Sequence, residues 1–484
     1  MDYFALYNNL QHMRHFIFFI ILFLSHYSSL AQSIGQVHEC VEMTNIVFRL
    51  ADIPEYSNVT NSQYIKDIDM YMGKDKSHEI VQFVQKLKET NQKAYEMLPK
   101  ITACLDISDG TVGFRETVDL NTLQAELVEK GLQSVCSRFV ALLNDFYRVS
   151  GFKRFFLNHS SFYHNIQCRF NALLAQLGTS WLPSFFEPQF RESIIAVSPS
   201  NGPFNYAIPN LPDKKYQAFV IIGNSRFDEF GLPVYDEMEL FATVHELMHP
   251  YTNSIADVLY PMIQSAVARI YSNTQEAINA AGYYSPEMMF TEWLNNLFTI
   301  QSLKSVLNQD SVNFLLRILE GNGFVYMNRS LSFLEHFIAN KSDCVAQDVL
   351  LTQFAGFINY TADHIAQIQN EIAYKHPYIV DVFPALNSLN DVAGINCIIF
   401  SFSVPMRTNA YGYACLQDAY VNNLYPVVKN ALWQDAYTFV LEIDSSKLKF
   451  GTEYGILLKK DSFQSVYYYT LAEDFIYKIK TRKL

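Results

Sequence analysis

The chain is poor in charge. Asp, Glu, Lys and Arg make 17% of its 484 residues, against about a quarter in ordinary globular proteins. It is also short of chain breakers, with 18 Gly and 16 Pro. These scarcities exclude a disordered chain, a collagen-like repeat and a flexible linker. Basic residues are in deficit: 36 Lys and Arg face 48 Asp and Glu, for a net charge of −12. A general attraction to nucleic-acid phosphates is therefore missing. The seven cysteines (Cys40, Cys104, Cys136, Cys168, Cys344, Cys397 and Cys415) are odd in number, irregularly spaced and without a CxxC pair. That is neither a disulfide framework nor a sulfur-ligated zinc finger. An oxidising compartment would permit one or two disulfides, whose pairing spacing does not reveal. Buried thiols acting as small hydrophobes account for most of the set. No GxSxG or Walker sequence occurs, and Gly321-Asn322-Gly323 stands isolated.

Apolar residues, by contrast, make half the chain, and aromatics 15%. A length of 484 residues allows about three domains, or one large and one small, each with a sizeable core.

The first apolar run is an address. Phe16 to Leu24 reads FIFFIILFL, preceded by Arg14 and followed by Ser29-Leu30-Ala31. Nine residues are too few to span a bilayer as a helix. A basic flank, a short apolar run and small residues before a cut describe a secretory signal peptide, residues 1–31, cleaved after Ala31. Met13 offers a tidier start than Met1. No later stretch is long and apolar enough to span, so the mature chain is expected to be secreted or periplasmic, without an integral membrane segment.

From about residue 39 to 177 the pattern is helical; Ile80, Phe83, Val84 and Leu87 recur at i, i+3, i+4 and i+7. ESIIAV and AFVIIG, within 193–224, are β-rich runs between turn-rich segments. A helix is expected from about Tyr235 to His249, stopped near Pro250. Others follow over about 255–280, 286–307, 330–340 and 346–373. After His376-Pro377 the period switches to two: YIVDVFP, NCIIFSFSV, AYTFVLEI, YGILLKK, VYYYTL and DFIYKIK read as strands of a separate β-sandwich. The fold class expected is α+β, a mostly helical unit with a small sheet followed by an all-β sandwich. Its parts are a helical segment over about 32–190, a core over about 191–310, helices to 375, and the sandwich over 376–484.

The chemistry sits in FATVHELMHPYTN, residues 241–253. Of three His-Glu dipeptides, at His38, His78 and His245, only the last has a second His four residues on. His245 and His249 project from one helix face. That spacing suits a single Zn²⁺ held by both imidazoles. Glu246 points about 100° away and can take a proton from water without being a ligand. Leu240, Phe241, Val244, Leu247 and Met248 make the helix apolar on most sides, so its polar groups need partners. The competing reading is a pair of satisfied core histidines near a helix end.

A catalytic zinc needs a third protein ligand. No HExxHxxGxxH extension exists, since Thr252 stands where that Gly would. MMFTEWLNNLF, residues 288–298, offers Glu292, with Glu276 and Glu287 in reserve. Glu292, Asn295, Asn296 and Thr299 form a polar stripe that also reads as a solvent face. Tyr251, Tyr283 and Tyr284 are candidate oxyanion donors, and nothing in the sequence chooses among them. AFVIIG, if it lies at a sheet edge, could hold an extended peptide by main-chain pairing.

ECVEMTNIVFRLADIPEY, MYMGKDKSHEIVQFV, LNDFYRVSGFKRFFLNHSSFY and VHELMHPYTN, in that order over about 38–305, resemble the domain-of-unknown-function 4932 family of secreted bacterial proteins. The resemblance implies a gluzincin-like zinc metallopeptidase with His245, Glu246 and His249 on the motif helix, Asn253 following it, and Glu292 as third ligand. Pro250 departs from the family pattern, and His78 falls in a family-like stretch without a role. The tail resembles bacterial Ig-like modules related to S-layer proteins. VDVFPALNSLNDV, the "F-S-x-P-M" element at Phe402 to Met406, and LKFGTEYGILL with Tyr454 in the corner position carry that likeness.

The expectation is an exported zinc metallopeptidase acting on protein or peptide substrates, with Glu246 as general base. The rival is a non-catalytic secreted or surface binding protein with a structural or vestigial metal site.

Overall fold

The computed structural model describes residues 34–58, 62–178, 191–224, 226–339, 347–409, 411–415 and 427–483. The expected signal peptide lies outside them. The class is mixed α and β. Contact density divides the chain into two units, one running to Val258 and including Leu294–Leu307, the other comprising Leu259–Trp293 and Asn308–Leu484.

The first unit opens with strand β1 (Gly35–Gln36) and helices α1 (Glu39–Leu50), α2 (Gln63–Met72) and α3 (Glu79–Thr90). His78 finds its role as the cap of α3: its Nδ1 accepts from the Ile80 N–H at 3.2 Å, which satisfies one of the helix's otherwise orphan donors. Strands β2 (Leu105–Ser108) and β3 (Thr111–Phe114) interrupt the helical stretch as an unexpected hairpin. Its turn is Asp109-Gly110, at φ +51° and +75°. Positive φ at both central positions is what a tight hairpin of this twist demands, and Asp-Gly supplies it. Helices α4 (Leu120–Glu129), α5 (Gln133–Val149), α6 (Phe152–Asn158) and α7 (Ser160–Leu174) follow.

Strands β4 (Glu192–Val197), β5 (Asn205–Pro209) and β6 (Tyr216–Ile222) join β1 in the order β1-β4-β6-β5. AFVIIG therefore supplies an inner strand, paired in parallel with β4 and antiparallel with β5. The edges belong to β1 and β5. Ala218 through Ile222 are all buried, as expected of a strand covered on both faces.

Helix α8 runs from Glu237 to Ala280 without a break. Pro250 does not stop it, and neither does Pro261. Each proline withholds one N–H from the ladder, at a cost of about 3 kcal/mol. The apolar face offsets that cost: Leu240, Val244, Leu247, Met248, Tyr251, Leu259, Ile263, Val267 and Ile270 are buried at helical spacing across both prolines. Helix α9 (Pro286–Leu303) returns beside it.

In the second unit, α10 (Gln309–Gly321) was not expected, although Asn308 caps it and Val312, Leu315, Leu316 and Leu319 mark its face. Then come α11 (Met327–Ala339) and α12 (Gln347–Ala373). Strands β7 (Ile379–Phe383), β8 (Leu389–Asn390), β9 (Cys397–Phe402), β10 (Tyr413–Cys415), β11 (Val428–Asp435), β12 (Thr438–Ile443), β13 (Glu453–Leu458) and β14 (Phe475–Thr481) form two four-stranded sheets, β11-β12-β9-β7 and β10-β13-β14-β8. Ile398, Phe400, Phe439, Leu441, Ile456, Leu458, Tyr477 and Ile479, from both sheets, share one core. The Lys449 N–H donates to Tyr454 Oη at 2.6 Å, tying the corner tyrosine to the chain ahead of its strand. VYYYTL is no strand; Tyr469 instead hydrogen-bonds Arg317 and Glu320 of α10.

Candidate metal centre

One helical turn brings the His245 and His249 rings to 4.9 Å between centroids, nearly perpendicular at 89°. Each ring is held by an amide oxygen. His245 Nδ1–H donates to Asn296 Oδ1 at 3.1 Å, and His249 Nδ1–H donates to Asn253 Oδ1 at 3.1 Å. With Nδ1 so engaged, Nε2 is the atom each imidazole presents as a ligand. Ligand-capable atoms of His245, His249 and Glu292 all lie within 4.8 Å of one another. Glu276 and Glu287, the reserve candidates, are exposed and outside this trio.

Three of the four residues in the α9 stripe that resembled a solvent face are buried, and Glu292 is half-buried. Asn295 and Thr299 are 0% exposed and Asn296 2%. Asn295 Nδ2–H donates to the His245 carbonyl at 2.9 Å, and its Oδ1 accepts from Thr252 at 2.7 Å. Two consecutive amides thus clamp α9 to α8 at the first histidine, one through the backbone and one through the ring. Glu292 and Asn296 are one turn apart on α9, so the same face delivers a carboxylate and the support for an imidazole. Asn296 Nδ2 is buried with no hydrogen-bond partner among the described residues. A stranded amide donor costs about 1–3 kcal/mol, a cost borne where the ring is being positioned.

Two imidazoles and one carboxylate form a nitrogen and oxygen set that suits zinc and leaves a fourth coordination position open. The residues therefore fit the ion they were expected to hold. Glu246, adjacent to His245, is 8% exposed.

Tyr251 is buried, and its Oη accepts from Gln217 of β6 at 2.6 Å. Burial pushes its phenol above the usual range. Tyr283 packs its ring against Phe324 at 5.7 Å, while Tyr284 is 72% exposed. Asn295, Asn296 and Thr252 carry the positioning work and were not singled out for it. The available signal was the amide one turn beyond a ligand: Asn253 after His249, Asn296 after Glu292.

Among the described residues Cys40, Cys104, Cys136, Cys168 and Cys397 are free thiols. The first three are buried, and burial pushes Cys136 up to about 11 and Cys104 up to about 12. Cys168 is exposed, with Sγ 3.5 Å from His164 Nε2.

No protein-family model matches the chain, and no curated protein does. Among solved structures, the N-terminal part of the bacterial S-layer protein SbsC aligns at 10% identity and a TM-score of 0.17, covering 49% of this chain and 58% of that one. Domains 1–6 of the same surface-layer protein align at 11% identity and a TM-score of 0.17, covering 84% and 46%. The chain thus spans about half the length of these structures. Scores of this size define no shared fold.

Proposed function

We propose that this chain is an exported zinc-dependent peptidase of the gluzincin kind. Its catalytic unit would occupy residues 32–375, ahead of an Ig-like sandwich over 376–484, and the product would be secreted or periplasmic after cleavage at Ala31. The carrying observation is the gathering of one ligand-capable atom from each of His245, His249 and Glu292 within 4.8 Å, with Glu246 next in the chain. The resemblance to the domain-of-unknown-function 4932 family supports the same residues. Among the described residues no helix is long and apolar enough to cross a membrane.

Zinc bound there would supply a Lewis acid that polarises a substrate carbonyl and acidifies a water. Glu246 would serve as the base, accepting a proton from the attacking water on a carboxylate oxygen and returning it to the leaving amine. Asn253 and Asn296 hold the imidazole Nδ1 atoms in place, which keeps both rings aimed with Nε2 toward the ligand position.

The test is paired measurement of zinc content and peptide-library turnover in the wild type and Glu246→Gln. One zinc per chain is expected in both, with turnover about 10²–10⁴-fold lower in the variant. Equal turnover would remove the role of Glu246. A wild type that holds zinc in a closed site and cleaves nothing would favour the surface-binding reading.

A further inference from the structure

A second site lies in the helical part of the first unit, where α2, the turn after it and α6 enclose a cleft of about 280 Å³. Phe155 and Met72, both buried, line it together with Met70 and Tyr71, which are 69% and 46% exposed. Lys74 and Arg154 reach it from opposite elements, both exposed. Neither makes an ion pair within 4 Å among the described residues. Asp75 follows Lys74 and attracts it without closing a pair.

The third polar wall is His159. Its Nδ1 faces the Phe155 carbonyl at 2.9 Å and its Nε2 faces Asp67 Oδ2 at 3.2 Å. Asp67 also accepts from Gln63 at 2.9 Å. The one carboxylate lining the cleft is therefore already committed, and the two long cations are not. In a chain of net charge −12, such a pair beside Met70, Tyr71 and Phe155 is a local reversal of sign.

We infer that this cleft binds a carboxylate carried on an apolar group, with Arg154 and Lys74 on the anion and Met70, Tyr71 and Phe155 around the apolar part. A planar guanidinium matches the two carboxylate oxygens, and a lysine adds a point charge. The volume suits a group of about one residue, below the usual range for larger ligands. Two sources share this chemistry: a free small acid, and the C-terminal residue of a peptide. The site is independent of the metal centre.

Calorimetric titration of the full chain tests the assignment with N-acetylphenylalanine, its amide and inorganic phosphate. The acid should bind about tenfold tighter than the amide and than phosphate, a difference of about 1.4 kcal/mol. Lys74→Ala/Arg154→Ala should lose that preference while keeping its thermal midpoint, since both side chains are exposed. A peptide ending in phenylalanine, titrated into Glu246→Gln, separates the sources: tighter than N-acetylphenylalanine means a peptide end, equal or weaker means a free acid. Equal affinity for acid and amide, preference for phosphate, no binding at millimolar concentration, or an unaffected double variant would each overturn the inference.

Discussion

Glu42 and the His245–His249–Glu292 trio are polar clusters set among apolar helices, built on opposite terms. Glu42 is 0% exposed, and hydroxyls supply what its carboxylate needs. Tyr64 Oη donates to it at 2.7 Å, Ser198 Oγ donates to its other oxygen, and Ser200 assists. Asn45 Nδ2–H in turn donates to Ser198 Oγ at 3.0 Å, and the Tyr64 and Tyr163 hydroxyls meet at 2.8 Å. Donors and acceptors balance within that cluster. In the trio the donors point backward, from the imidazole Nδ1 atoms to Asn296 and Asn253, while three Lewis bases converge forward. The difference separates a cluster closed by hydroxyl hydrogen bonds from one that gathers nitrogen and oxygen ligand atoms at one point.

Breaking the two clusters should give opposite signatures. His249→Ala is expected to drop zinc from about one per chain to near none and to abolish turnover, read by elemental analysis and peptide hydrolysis. Glu42→Ala should do the reverse. It strands buried hydroxyl donors and is expected to cost on the order of 2–4 kcal/mol in urea unfolding, with zinc affinity unchanged. Asn296→Ala sharpens the contrast from inside the trio: zinc affinity should fall about 10–100-fold in competition with a chelator, with the ligands intact.

A smaller effect concerns protons. Burial raises the Glu42 carboxyl above its ordinary value, against the opposing hydroxyl hydrogen bonds. An acid raised in the native state favours the protonated form there. Its stabilising contribution is complete below the unfolded value of about 4.3 and fades as pH climbs through the raised native value. Glu42→Gln does not titrate, so relative to wild type it should cost more at about pH 4 than at about pH 7. An equal cost at both would show that Glu42 titrates normally. The mildest probe is thiol labelling mapped by mass: Cys168 should react ahead of buried Cys40, Cys104 and Cys136.

Most helices were legible from a repeating apolar face, α10 being missed despite one, and most of the β-rich tail from its period of two. Errors fell where a local rule met a longer-range force. Pro250 reads as a stop, yet the buried face on both sides of it carries α8 through. VYYYTL has strand composition, yet Tyr469 is drawn to Arg317 and Glu320. Glu292, Asn295, Asn296 and Thr299 look like a wet face because they are polar, but polarity does not say whether water or another helix answers it.

From the sequence alone came the two histidines on one face and the glutamate between them, since side-chain direction along a helix follows from neighbours four residues apart. Tertiary structure decided that Glu292 joins them and Glu276 and Glu287 do not. It also decided that the α9 amides hold α8. Those outcomes depend on which groups from distant parts of the chain meet once water is removed, and no spacing along a single helix encodes that.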